Sequence, residues 1–272
     1  MLYKAKNGIV EIKGGSMEYA VFGSGGRDLI LLPGLGDALR SMKGMALPLA
    51  LMYRAFAKDF RVWVFSRKAP LYEGEGTREM ALHQLEAMDA LGIKKAALWG
   101  VSMGGMIAQH MAAEAPERFT KLVLTVSCAR PNETLKAAVS EWISLAEKGV
   151  HRAFMDSNMR LIYTEEYYRK NRWTIPLTAA LTKPRSYERF FIMARACLEH
   201  DAFERLRDIK ADTLIIGGEK DMSLGGAASR EIAGEMAGSR LIMYENYGHG
   251  LYEEAKDFNG KVLEFLTSSL SF

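Results

Sequence analysis

The chain of 272 residues carries 36 Lys/Arg against 33 Asp/Glu, a net charge of +3, with 49 % hydrophobic and 25 % charged residues. That balance belongs to a globular chain long enough for one large core. So small a charge, with no basic run standing out, excludes the electrostatic footprint of a nucleic-acid binder.

In chain order, "GIVEI" and "MEYAVFG" are rich in β-formers and are separated by the turn "KGGS", which predicts an antiparallel opening. "DLILLPG" is a continuous apolar run closed by Pro-Gly, the pattern of a buried central strand. A helical stretch around Leu47–Lys58, the strand "RVWVF" and a helix from about Thr77 to Leu91 follow. "KKAALWG" is another buried strand, and "GGMIAQHMAAEA" a helix stopped before Pro116. "KLVLTVS", "DTLIIGG" and "SRLIMYE" complete the strands. Strand–helix alternation of this kind predicts a mostly parallel sheet with helices on both faces.

Between Arg130 and about Asp208 no strand pattern occurs, and "EWISLAEKG", "MRLIYTEEYYRKNRW" and "RSYERFFIMARACLEH" read as helices. The interval holds thirteen Lys/Arg and eleven Asp/Glu, or +2. It is too long for a connecting loop and too apolar for a linker. Residues 131–208 therefore form a predicted helical insertion in a core made of 1–130 and 209–272.

No stretch reaches the roughly 18 uncharged apolar residues of a membrane span, since "MALPLALMY" is short and followed by Arg54. The first fifteen residues have no apolar run of the signal-peptide kind. The only cysteines, Cys128 and Cys197, make no disulfide framework, so a cytoplasmic protein with no membrane partner is expected. No Cys/His cluster has metal-ligand spacing, and neither metal nor cofactor is expected. Nothing in the sequence sets the oligomeric state.

The segment "ALWGVSMGGMIAQH" places Ser102 in a G-x-S-x-G motif where a strand meets a helix. At such a turn a serine is either a nucleophile lifted above the sheet or a plain helix cap. Gly100, Gly104 and Gly105 supply the space a sharp elbow needs. Downstream, "TLIIGGEKD" sets Asp221 just beyond a strand, with Glu219 as a rival acid. "NYGHGLYEE" sets His249 in a glycine-flanked loop after the last strand. Of the other histidines, His83 and His110 fall in helical patterns and His151 and His200 in the insertion. The order serine, acid, histidine is one of those that a nucleophilic triad takes.

Together "LLPGLGD", "GVSMGG", "IIGGEKD" and "YGHGLY" resemble the α/β-hydrolase superfamily over nearly the whole chain. The resemblance is to its small capped members: esterases, 3-oxoadipate-type enol-lactonases and proline iminopeptidases. It implies an eight-stranded, mostly parallel sheet with a helical cap roofing the pocket. Ser102 is then the nucleophile, His249 the base and Asp221 its orienting acid, with the backbone N–H groups of Leu35 and Met103 as oxyanion donors. The implied activity is hydrolysis of a small carboxylic ester or lactone. A receptor or sensor for a small ligand, with slow or no turnover, is the alternative the same fold allows.

Two departures stand out. Pro33-Gly34 replaces the common His-Gly of the oxyanion loop, so the loop needs a different outer support. "FSRKAPLYEGEGT" replaces D-x-R-G-x-G-x-S, leaving Arg67 as a remnant. In the cap, Trp142, Phe154 and Trp173 are candidate substrate-pocket residues, along with Met155, Tyr163, Phe190 and Met193, and all equally suit helix packing. Arg152, Arg160 and Arg189 are candidates for a substrate carboxylate or for a solvated face.

Overall fold

The computed structural model describes residues 2–269. Eight strands form one sheet: β1 (Lys6–Ile12), β2 (Gly15–Phe22), β3 (Arg27–Leu32), β4 (Phe60–Phe65), β5 (Ala96–Val101), β6 (Phe119–Thr125), β7 (Asp212–Gly218) and β8 (Arg240–Tyr244). Their order is β1-β2-β4-β3-β5-β6-β7-β8. The β1–β2 and β2–β4 pairs are antiparallel and all later pairs parallel, with Leu31 opposite Trp99 and Leu124 opposite Ile215.

The continuous apolar runs are explained by burial on both faces. On β3, Ile30 and Leu32 join one core layer and Leu29 and Leu31 the other, as the two-residue period of a strand requires. Each such side chain contributes about 1.5–3 kcal/mol by leaving water. The helices cover these layers: α1 (Ala46–Met52), α2 (Thr77–Ala90), α3 (Met103–Glu114), then, beyond β7, α9 (Gly226–Glu235), α10 (Leu251–Glu254) and α11 (Phe258–Thr267). The stretch expected as one helix from Leu47 to Lys58 instead breaks at Tyr53 and resumes as a short 3-10 turn, Arg54–Phe56. Tyr53 packs edge-on against Trp99 at 5.4 Å.

Between β6 and β7 lie only helices: α4 (Glu133–Glu147), α5 (His151–Ile162), α6 (Glu165–Asn171), α7 (Ile175–Thr182) and α8 (Glu188–Leu198). Asn132 caps α4 by accepting from Leu135 N at 2.9 Å, and Thr164 caps α6 through Tyr167 N at 3.2 Å. Phe154 of α5 and Phe190 of α8 meet edge to face at 5.2 Å. Among the described residues no helix is long and apolar enough to cross a membrane.

Candidate active site

The parallel strands β3, β5, β7 and β8 point their carboxyl ends the same way, and the candidate residues come from the loops at those ends. Ser102 stands between the end of β5 and the start of α3 with φ 54° and ψ −122°, a left-handed conformation that strains any side-chain-bearing residue. Its neighbours over-determine the turn. Ser102 N donates to Thr125 O at 2.9 Å, and its carbonyl accepts from Gly105 N at 2.8 Å and Ser127 Oγ at 3.0 Å. A Cβ on Gly104 would overlap the Leu32 carbonyl, and one on Gly100 the Gly104 carbonyl. The elbow can therefore close only with glycine at both positions.

Asp221 and His249 are both buried, and His249 Nδ1 donates to Asp221 Oδ2 at 2.8 Å. The other carboxylate oxygen accepts from Ser223 N at 2.8 Å and Leu224 N at 2.9 Å, which fixes the carboxylate plane. Two backbone bonds, Glu219 N to Tyr244 O at 3.1 Å and Lys220 N to Tyr247 O at 3.0 Å, tie the acid loop to the histidine loop. An acceptor at Nδ1 puts the proton there and leaves Nε2 of His249 as the free base. The rival acid Glu219 is paired with Arg230 at the surface and is not a partner of His249.

Ser102 and His249 line one cavity of about 320 Å³, together with Gly34 and Leu35 of the loop after β3. A Cβ on Gly34 would lie 3.2 Å from Ser102 Cβ, so the two loops run in contact. Met103 opens α3, where the first backbone N–H groups have no helical acceptor. The rest of the wall is mostly apolar, with Met42, Leu49 and Tyr53 from the core and Trp142, Phe154 and Phe190 from the helices above, but Asp37, Arg40, Asn158 and Glu253 also reach it.

A largely buried ionic cluster holds the loop after β3, where Pro33-Gly34 stands. Asp37 lies within the 3-10 turn Leu35–Ala38, and its carboxylate accepts from Ser66 Oγ, Arg67 N at 2.9 Å and Arg189 Nη2 at 2.8 Å. Arg67 Nη2 donates to Pro33 O at 2.5 Å. Burial pushes the fully enclosed Arg67 guanidinium down to about 10, Asp37 acting in the opposite direction. Arg189 reaches down from α8 to clamp the Lys68 and Arg67 carbonyls at 2.8 and 3.0 Å. Arg189→Met should thus lower kcat for a short ester by about 10- to 100-fold with KM within about twofold, because it loosens the loop and not the pocket. Steady-state kinetics beside Arg189→Lys check this, and a rise in KM alone contradicts it.

Other candidates fall elsewhere. Trp173, expected in the substrate pocket, is 74 % exposed and lines a separate outer groove with Arg152, Pro176 and Lys183. Trp173 sits in the 3-10 turn Arg172–Thr174 that leads into α7, and α7 buries Ile175 and Ala179 instead. Tyr163 and Phe190 do line the cavity, whereas Met193 is core. Arg160 pairs with Asp156 at 2.5 Å and Arg189 is occupied by Asp37. His110 and His200 pack edge to face at 5.2 Å, and burial pushes them down to about 4 and about 3. Both stay neutral near pH 7, away from Ser102. Sequence reasoning missed Asp37, although it ends the quoted "LLPGLGD", and it missed Asn158 and Tyr252 in the cavity wall.

A strained serine elbow, a buried acid–histidine pair and a pocket thus meet at the carboxyl edge of a mixed eight-stranded sheet. A profile of the alpha/beta hydrolase fold matches residues 29–256, and the chain belongs to that family. It is 26 % identical over 190 residues to a Caulobacter vibrioides protein bearing the name of a carbamate hydrolase, RutD, covering 69 % of this chain and 71 % of that one. It is 30 % identical over 190 residues to the 2-hydroxy-6-oxo-6-phenylhexa-2,4-dienoate hydrolase of Comamonas testosteroni, covering 66 % and 65 %. The crystal structure of MGS-M2, an alpha/beta hydrolase from a Medee basin deep-sea metagenome library, shares the fold with a TM-score of 0.86 at 22 % identity, covering 97 % and 99 %.

Proposed function

We propose that this hydrolase-family protein is a serine hydrolase that cleaves a small, largely apolar carboxylic ester or lactone through an acyl-enzyme on Ser102. The observation that carries the reading is the 2.8 Å bond from His249 Nδ1 to a fixed Asp221, with His249 and the Ser102 elbow on the same cavity wall. Ser102 Oγ attacks the carbonyl carbon as its proton passes to His249 Nε2, and Asp221 steadies the imidazolium. The oxyanion sits on the N–H groups of Leu35 and Met103, each worth about 3–4 kcal/mol by analogy with measured sites. His249 then protonates the leaving oxygen. Water gives its proton to His249 and attacks the acyl carbon, and His249 returns that proton to Ser102 Oγ as the acyl bond breaks.

The cavity of about 320 Å³ lies at the small end of ligand sites, which favours a compact substrate. The helices above the serine act as its cap in this reading, and Trp142 and Phe154 set the length of the acyl chain. Both are buried, so truncation to alanine invites a large stability loss, about 3–5 kcal/mol for a buried aromatic. Leucine is the safer probe. Trp142→Leu and Phe154→Leu should each change the ratio of kcat/KM between long and short esters by about tenfold, while Trp173→Ala leaves it in place. A panel of esters, lactones, carbamates and vinylogous diketones checks both points. An unchanged order in the pocket variants contradicts the cap assignment, and turnover of only carbamates or diketones contradicts the substrate class.

A further inference from the structure

Helix α7 is apolar on two sides. Ile175 and Ala179 are buried and face inward. Outward, Leu177 and Leu181 of α7 and Trp173 of the 3-10 turn Arg172–Thr174 just before it recur every four residues and form one exposed stripe. They are 74 %, 62 % and 76 % exposed, and Leu181 and Trp173 are the two most exposed large apolar side chains among the described residues. A helix apolar all round is normally covered on every side.

The charge around the stripe says what covers it. From 169 to 185 the chain has five cations, Arg169, Lys170, Arg172, Lys183 and Arg185, and no Asp or Glu, while Glu165 and Glu166 share a groove with the first three and Glu188 follows the last. All five are exposed. None takes part in any of the ion pairs found among the described residues. Three precede Trp173 and two follow Leu181, so cations bracket the apolar stripe at both ends. The chain as a whole is only +3, and this local excess is hidden in the total.

A second copy meeting this face about a two-fold axis sets five cations against five. A nucleic acid would neutralise the cations and leave Leu177 and Leu181 in water. An anionic bilayer satisfies both, with tryptophan and leucine at the acyl boundary and the cations among headgroup phosphates. We propose that α7 and its flanks dock this protein peripherally on anionic membrane surfaces. The expectation of no membrane partner rested on the lack of a spanning segment, and peripheral docking needs none.

The test is co-sedimentation of the full chain with phosphatidylcholine vesicles, with and without phosphatidylglycerol, at low and high salt. Binding should require phosphatidylglycerol and weaken with salt. The pairs Leu177→Ser with Leu181→Ser, and Arg172→Glu with Lys183→Glu, should each bind at least about tenfold more weakly. These side chains are exposed, so an unchanged Tm verifies folding. Trp63, Trp99 and Trp142 are buried, so a blue shift of emission on the anionic vesicles should vanish in Trp173→Phe. Three results overturn the proposal: no preference for anionic vesicles, variants that bind like the parent, or a dimer that the leucine pair dissociates.

Discussion

Replacing Ser102 by alanine should lower ester turnover by about ten-thousand-fold or more and abolish fluorophosphonate labelling. The expected size follows from the site's division of labour. In the proposed mechanism His249 and Asp221 act through the serine oxygen, so removing it disables all three at once, and only the proposed oxyanion donors and the pocket continue to act on the substrate. Folding should be unaffected or improved, because alanine at φ 54° carries no more strain than serine and the carbonyl and N–H of residue 102 keep their bonds to Ser127 and Thr125. Kinetics on a short ester, with Tm as the control, check this. Persistent labelling mapped to another serine contradicts the assignment.

Asp221→Asn should cost about ten-thousand-fold in kcat, and the geometry says why an isosteric change is so severe. Ser223 N and Leu224 N both donate to Oδ1, so the new amide must turn its oxygen toward them. Its NH2 group then faces His249 Nδ1, which has to accept instead of donate. The imidazole proton moves to Nε2, the atom that should receive the proton of Ser102. Glu219→Gln removes only the surface pair with Arg230 and should leave kcat within about twofold. A larger loss from Glu219→Gln than from Asp221→Asn would reverse the choice of acid.

The core was legible because its signals are local. Continuous apolar runs announced strands buried on both faces, and each motif marks the end of its own element, so Ser102, Asp221 and His249 could be named before any contact was known. The acid was harder, since Asp221 and Glu219 differ by two residues in one loop and only the bond to His249 separates them. Which side chains of the helices between β6 and β7 reach the cavity was not legible. An aromatic residue at helical spacing has the same pattern whether it lines a cavity, as Trp142 and Phe154 do, or faces water, as Trp173 does. Nor could Arg189 be placed: its partner Asp37 is 152 positions away, and a lone arginine in a helix says nothing of such a distance. The replacement of His-Gly by Pro33-Gly34 was visible, but the cluster of Asp37, Arg67 and Arg189 that holds this loop exists only in three dimensions.

The central claim is that Ser102 carries the acyl group. Acid-quenching the enzyme during turnover of a p-nitrophenyl ester and measuring intact mass, followed by peptide mapping, tests it most directly. The acyl group should be found on the peptide containing Ser102, with a burst of p-nitrophenol of about one per active site, and both should be absent in Ser102→Ala. Steady turnover with no acylated protein at any quench time, or an acyl group on a different residue, would contradict the account.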